Sequence, residues 1–282
     1  MPVSEIPSPK AMDGVLQAPL GGRRPKPRQR GLTMIIDKGL GLGETRDLLS
    51  IGADYLDIVK ISFGTAALYP VEELRAKIRT IRSYGITVCP GGTLLEIAIL
   101  QSRLSPFLAR VAGLGFNALE VSDGTIQMSA VQRVAVIAAV LEAGFEVISE
   151  VGKKDPTQQV PAAEVVARVK FDLDHGVRLV ILEARESGKG VGIFSGDGSV
   201  KEADLETIIT GLGQPEAVMW EAPLKNQQAY LILRLGVDVN LGNVPPSDIF
   251  ALEALRLGLR ADTLKVKVPS EMPFALEGGD RV

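Results

Sequence analysis

The sequence predicts a single (β/α)8 barrel, on three observations. From Gly31 onward, short β-branched runs alternate with longer amphipathic stretches, the pattern of a parallel sheet with crossover helices. Eight such units fit into about 240 residues, a length typical of one closed barrel. Finally, nearly every run ends at its C-terminal side in charged or polar residues, and in a barrel those ends converge on the one face that carries chemistry.

Taken in order, the run 32–37 ends in Asp37-Lys38, 55–61 in Lys60 and Ser62, and 86–89 in Pro90-Gly91-Gly92-Thr93. The run 118–122 brings Glu120, Ser122 and Asp123, and 146–151 brings Glu150 followed by Lys153 and Lys154. The last three, 178–183, 217–221 and 237–241, bring Glu183 with Arg185, Glu221 with Lys225, and Asn240 with Asn243. Between them the spacing is helical. Val131, Val134, Ile137, Ala138 and Leu141 predict one apolar face, and Ile249, Leu252, Leu255 and Leu259 another. Gly85, Gly115, Gly144, Gly176 and Gly236 stand where helices should exit toward the next strand. An open dinucleotide-binding sheet lacks its signature, because Gly39-Leu40-Gly41-Leu42-Gly43 does not match G-x-G-x-x-G.

Composition narrows the class. With 282 residues and 46% apolar side chains, the chain can bury one large core. A net charge of −3 argues against a nucleic-acid binder, and no apolar run approaches the ~20 residues of a membrane span. The one cysteine, Cys89, excludes an internal disulfide or a thiolate metal cluster and points to a reducing cytoplasm. Residues 1–30 are rich in Pro, Gly and basic side chains without an apolar period, and predict a mobile arm. The barrel is assigned to 31–265 and a C-terminal tail to 266–282.

The loop Glu183-Ala184-Arg185-Glu186-Ser187-Gly188-Lys189-Gly190 is the densest of the polar ends. It is not a nucleotide P-loop, since Glu183 and Gly190 stand where that motif needs a glycine and a hydroxyl. It suits a small anion, with carboxylates able to bring a cation. Strand parity puts Glu183 with Arg185, and Lys60 with Ser62, on inward faces, and favours Lys154 over Lys153. Trp220 has the opposite parity to Glu221 and should face the helices. His175, in Asp174-His175-Gly176, reads as a helix cap, and Cys89 as packing.

These segments resemble the phosphosulfolactate synthase family of coenzyme M biosynthesis, a family that also takes in plant heat-stress-associated proteins. The resemblance rests on Asp37-Lys38-Gly39, Asp57-Ile58-Val59-Lys60, Pro90-Gly91-Gly92-Thr93-Leu94, Glu120-Val121-Ser122-Asp123-Gly124, Ser149-Glu150-Val151-Gly152-Lys153-Lys154, the 183–190 loop, Glu221-Ala222-Pro223 and Leu259-Arg260-Ala261-Asp262-Thr263, in matching order over roughly 31–265. The chain departs from the pattern at Leu241-Gly242-Asn243, where alanine is expected in the middle.

The resemblance implies a magnesium-dependent addition of sulfite to phosphoenolpyruvate, giving 2-phospho-3-sulfolactate. Sulfite attacks the methylene carbon, charge accumulates on the carboxylate, and a proton reaches the carbon bearing the phosphate. On that basis Glu150, Glu183 and Glu221, with Asp37 in reserve, are the expected Mg²⁺ ligands. Lys154, or alternatively Lys60, is the expected proton donor, with a pKa drawn down by neighbouring cations. Arg185, Ser187, Gly188 and Lys189 are expected to cradle an anion, Lys38 to hold the second one, and Gly91, Gly92 and Asn240 to complete the substrate contacts. Partners are therefore small anions, and a homo-oligomer is expected, with Arg260 structural or at a subunit contact. Two readings compete: another magnesium-dependent lyase acting on an enolate, and a non-catalytic, stress-related barrel.

Overall fold

A computed structural model describes residues 9–213 and 215–267. The predicted architecture is found. Strands β1 (Thr33–Asp37), β2 (Ile58–Ile61), β3 (Thr87–Pro90), β4 (Ala118–Val121), β5 (Glu146–Val151), β6 (Leu179–Leu182), β7 (Val218–Glu221) and β8 (Asn240–Val244) form one parallel sheet in the order β3-β2-β1-β8-β7-β6-β5-β4. Between β3 and β4, Val88 N–H donates to the side chain of Asn117 at 2.8 Å, so the sheet curls into a nearly closed barrel.

The helices α1 (Leu42–Gly52), α2 (Val71–Ser83), α3 (Thr93–Leu100), α4 (Leu104–Leu114), α5 (Ala130–Glu142), α6 (Ala162–Asp174), α7 (Glu202–Leu212), α8 (Lys225–Leu235), α9 (Ile249–Leu257) and α10 (Ala261–Leu264) alternate with the strands. Alternation along each strand makes two cores. Leu32, Met34, Ile58, Cys89, Ile148, Ile181 and Met219 fill the barrel interior, while Val59, Val88, Leu119, Val147, Val180 and Trp220 pack outward against the helices. Trp220 thus has the parity read from the sequence. Gly242 is crowded by this filling, because a Cβ there would lie 2.8 Å from Met34 Cε and 3.1 Å from Met219 Sδ. The two methionines take the room an alanine would need.

All five helix-exit glycines have positive φ, between 68° and 97°. His175 closes α6 with Nδ1 donating to Phe171 O at 2.7 Å, as its position implied. Two expectations about helix faces and strand ends are corrected. On α5 the buried side chains are Arg133, Val136, Ile137 and Val140, and Val131 is exposed, because a buried carboxylate pair turns Arg133 inward. Strands β2 and β8 begin three residues later than expected, at Ile58 and Asn240; below β8, Arg256 ties up the carbonyls of Val237 and Val239.

The arm assigned to residues 1–30 is seated over its second half. Arg23 pairs with Glu253 at 2.9 Å, Lys26 Nζ donates to Ala53 O and Leu56 O, and Arg28 is buried against Asp57 at 2.8 Å. Leu20 N–H donates to Leu257 O. Its cationic side chains find their partners across the bottom of the barrel, so periodicity was the wrong signal for this segment. Residues 1–8, and the tail beyond 267, lie outside the described residues.

Candidate active site

At the C-terminal ends of the strands lies a cavity of about 340 Å³, lined by Lys60, Ser62, Phe63, Gly91, Gly92, Thr93, Glu120, Glu150, Lys154, Glu183, Arg185, Glu186, Glu221 and Asn243. Because these side chains occupy inward positions on consecutive strands, residues far apart in sequence meet there. Lys60 is the hub. Its Nζ lies 3.0 Å from Glu120 Oε2, 3.0 Å from Glu221 Oε1 and 3.7 Å from Glu150 Oε2. Lys154 Nζ lies 2.8 Å from Glu150 Oε1 and 3.5 Å from Glu183 Oε2.

Four buried carboxylates therefore face two ammonium groups. Burial alone would lower the pKa of both lysines, but the surrounding carboxylates outweigh it and raise both. This corrects the expectation that neighbouring cations draw the Lys154 pKa down: its neighbours are anions, and it stays protonated. Burial pushes Glu120 up to about 7, against the pull of Lys60. Glu150, between two lysines, overcomes its burial and sits well below the usual carboxylate range. Glu183 is pushed well above it, by burial and by the charges of Glu150 and Glu221. Its Oε1 accepts from Arg185 N–H at 2.6 Å, while Oε2 is buried without a hydrogen-bond partner.

Several expected site residues stand elsewhere. Asp37 is buried in a pair with Lys77 at 2.5 Å and accepts from the N–H groups of Gly39 and Leu40, so it shapes the loop after β1 and does not line the cavity. Asn240 lies at the start of β8, where it accepts from Leu32 N–H and donates to Glu216 O and Val218 O, at the opposite end from the cavity. Asn243 takes its place at the mouth. Glu221 has both oxygens engaged, one by Lys60 and one by Ala184 N–H. The N–H groups of Gly91 and Gly92 are spent on Ile61 O and Glu120 Oε1. Gly92 still matters for fit: a Cβ there would lie 2.6 Å from Ser122 Cβ.

The 183–190 loop does not form the expected cradle. Ser187 and Lys189 are exposed, and Gly188 is buried with its carbonyl accepting from Gln227 Nε2. Arg185 alone carries the cationic role into the cavity, on a left-handed backbone (φ 62°), with Nη1 donating to Lys154 O. Lys38 sits at the rim, paired with Glu186 at 2.9 Å and over the ring of Phe63. Glu120 is the residue the assignments missed, although its inward parity with Ser122 was readable. Cys89 is buried, with its thiol pKa pushed up by that burial, and serves as packing.

A nearly closed parallel barrel with an ionised cavity at its C-terminal strand ends defines an enzyme of the barrel class. Residues 21–262 match the (2R)-phospho-3-sulfolactate synthase (ComA) family model, and the chain belongs to that family. The match starts inside the segment assigned to the arm. The chain is 41% identical to the phosphosulfolactate synthase of Methanothermobacter thermautotrophicus over 244 residues, covering 86% of this chain and 94% of that one. To the Bacillus subtilis enzyme of the same name it is 37% identical over 243 residues, covering 86% and 95%. Among solved structures, 3-hexulose-6-phosphate synthase from Salmonella typhimurium shares the fold at a TM-score of 0.50, with 16% identity over 81% of this chain and all of that one.

Proposed function

We propose that the chain adds sulfite to phosphoenolpyruvate, giving 2-phospho-3-sulfolactate with Mg²⁺ as cofactor, in the cytoplasm. The observation that carries this reading is the crowding of the cavity: four buried carboxyl groups share two lysines, which drives Glu183 toward its protonated form and Glu120 to a pKa of about 7, and the substrates are anions as well. A divalent cation reconciles the two. Glu183, whose Oε2 lies 3.5 Å from Lys154 Nζ but accepts no hydrogen bond among the described residues, and Glu150 beside it suit such an ion. Among the described residues, no three His, Cys, Asp or Glu side chains are arranged to hold a metal by themselves. That is compatible with magnesium, which usually takes one or two carboxylates and fills its shell with substrate and water oxygens. When bound, it supplies Lewis-acid stabilisation for charge developing on a substrate carboxylate.

The chain's own groups account for the rest. Arg185 presents a guanidinium for forked hydrogen bonds to phosphate or carboxylate. The sulfur lone pair forms the C–S bond, the π pair moves toward the carboxylate, and the Lys154 ammonium gives its proton to the carbon bearing the phosphate. Lys154 then recovers a proton from solvent, to which its side chain is 28% exposed. Lys60, ringed by carboxylates, remains a fixed cation and is the weaker donor. The test is to follow phosphoenolpyruvate with sulfite and a divalent cation, each omitted in turn. Loss only with both present supports the reading; sulfite-independent loss points to another lyase, and no loss to a non-catalytic barrel.

A further inference from the structure

Beside the mouth lies a second cavity of about 430 Å³, lined by residues 124–127, Lys153, Lys154, Asp155, Gln158 and Arg185. The two cavities share Lys154 and Arg185, which form the partition between them. Their linings differ in acidity. Five glutamates line the mouth, whereas among the described residues Asp155 is the one acid in the lining of the side cavity. That acid is turned into its own loop, its Oδ1 accepting from Thr157 N–H and Oγ1 and its Oδ2 from Gln158 Nε2. Lys153 is likewise spent on the carbonyls of Asp123 and Ile126. What the side cavity offers a ligand is therefore Lys154 and Arg185, with amide and hydroxyl groups around them.

We propose that this side cavity seats the small oxyanion co-substrate, of the sulfite class, while the mouth takes the phosphorylated carboxylate together with its cation. The inference rests on the function proposed above. An oxyanion arriving from this side reaches Lys154 and Arg185 without passing the mouth carboxylates, which would repel it. It also meets the second reactant across the two residues common to both cavities. The arrangement thus keeps two mutually repelling anions apart until they face each other over the proton donor.

Gln127 lines the side cavity only, is exposed, and makes no side-chain hydrogen bond among the described residues, so its charge can be changed without touching the mouth. At low ionic strength, Gln127→Glu should raise KM for sulfite about fivefold, an effect of about 1 kcal/mol, and Gln127→Lys should lower it, with KM for phosphoenolpyruvate within about twofold. Opposite signs for the two variants cannot come from a shared folding defect. If phosphoenolpyruvate KM moves instead, or neither does, the assignment is overturned. Should the wild-type protein show no sulfite-dependent turnover, the function fails but the site can still be read. Equilibrium binding of inorganic sulfate should then weaken in Gln127→Glu and strengthen in Gln127→Lys, and equal binding by all three would overturn the site as well.

Discussion

Two buried ionic clusters lie on opposite sides of β4 and β5, and they are built on different principles. On the helix side, Arg133 grips Asp172 with two bonds of 2.7 and 2.6 Å and Asp123 with a third of 3.1 Å, while Lys153 lies 3.3 Å from Asp123. With Arg168 3.8 Å from Asp123 as well, three cations meet two carboxylates, and among the described residues none of these side chains is left with an unpartnered buried atom. Arg133 also donates to the carbonyl of Glu150, so this cluster fixes the strand backbone at that residue. On the barrel side, four carboxyl groups share two lysines, and Glu120 Oε2 and Glu183 Oε2, 3.0 and 3.5 Å from a lysine Nζ, accept no well-aligned hydrogen bond among the described residues. In one cluster every acid is answered by the protein's own cations; in the other the acids outnumber them, the asymmetry expected where a ligand is to bind.

The sharpest way to break the comparison is to remove one ionisable group from each cluster. Arg133→Met leaves two buried carboxylates without their main partner and should destabilise the protein by about 3–5 kcal/mol. Glu183→Gln replaces a carboxyl group that burial and its acidic neighbours already drive toward the neutral form, so its melting temperature should match or exceed that of the wild type. Its rate should fall by about 10²–10³-fold, with weakened magnesium dependence. Thermal melts of the two variants side by side check this, and equal destabilisation by both would erase the distinction.

Lys154→Arg tests the donor within the unbalanced cluster. Arginine keeps the charge opposite Glu150 and Glu183 but cannot give up its proton at neutral pH, so kcat should drop by about 10²–10⁴-fold while KM changes little. A kcat within about threefold of wild type would move the role to Lys60.

Glu120 gives the comparison a pH dependence. Its folded pKa of about 7 lies above the ordinary 4.5, so the native protein binds this proton more tightly than the unfolded chain does. The stabilisation is complete below about 4.5 and is lost as pH rises through about 7. Glu120→Gln lacks this loss. Its stability relative to wild type should therefore grow between pH 4.5 and 7, by on the order of 2–3 kcal/mol, and stay level above that. Denaturant titrations at several pH values measure it, and a pH-independent difference would show that Lys60 keeps Glu120 ionised.

Much of this was legible in the sequence, and the failures share a cause. Period and parity located the strands and put Lys60, Glu150, Glu183 and Glu221 into one mouth, because inward alternation at strand ends is a local property. Asn240 and Asp37 were misplaced because a polar residue near a strand end reads the same whether it faces a ligand or satisfies backbone groups. Only the three-residue shift of β8 and the Lys77 contact decide between those roles. The seat of residues 19–30 was invisible for a related reason: it depends on Asp57, Asp238 and Glu253, acids distant in sequence. The sign of the Lys154 shift is not legible in the sequence, because its partners come from β5 and from just past β6 together, and the same carboxylates also suit a metal.

Arg185→Lys is the smallest change and the finest probe. Arg185 stands between the two cavities, and its guanidinium can hold Lys154 O through Nη1 while turning other N–H groups to a ligand. An ammonium on a shorter reach keeps the charge but cannot make both sets of contacts, since it lacks the planar fork. The loss should be modest, about 1 kcal/mol or roughly fivefold, and should appear in KM with kcat little affected. Because the residue lines both cavities, KM should rise for both co-substrates, in contrast to the sulfite-only effect of Gln127→Glu. If KM rises for phosphoenolpyruvate alone, Arg185 serves the mouth and the partition is made by Lys154; if for sulfite alone, Arg185 belongs to the side cavity.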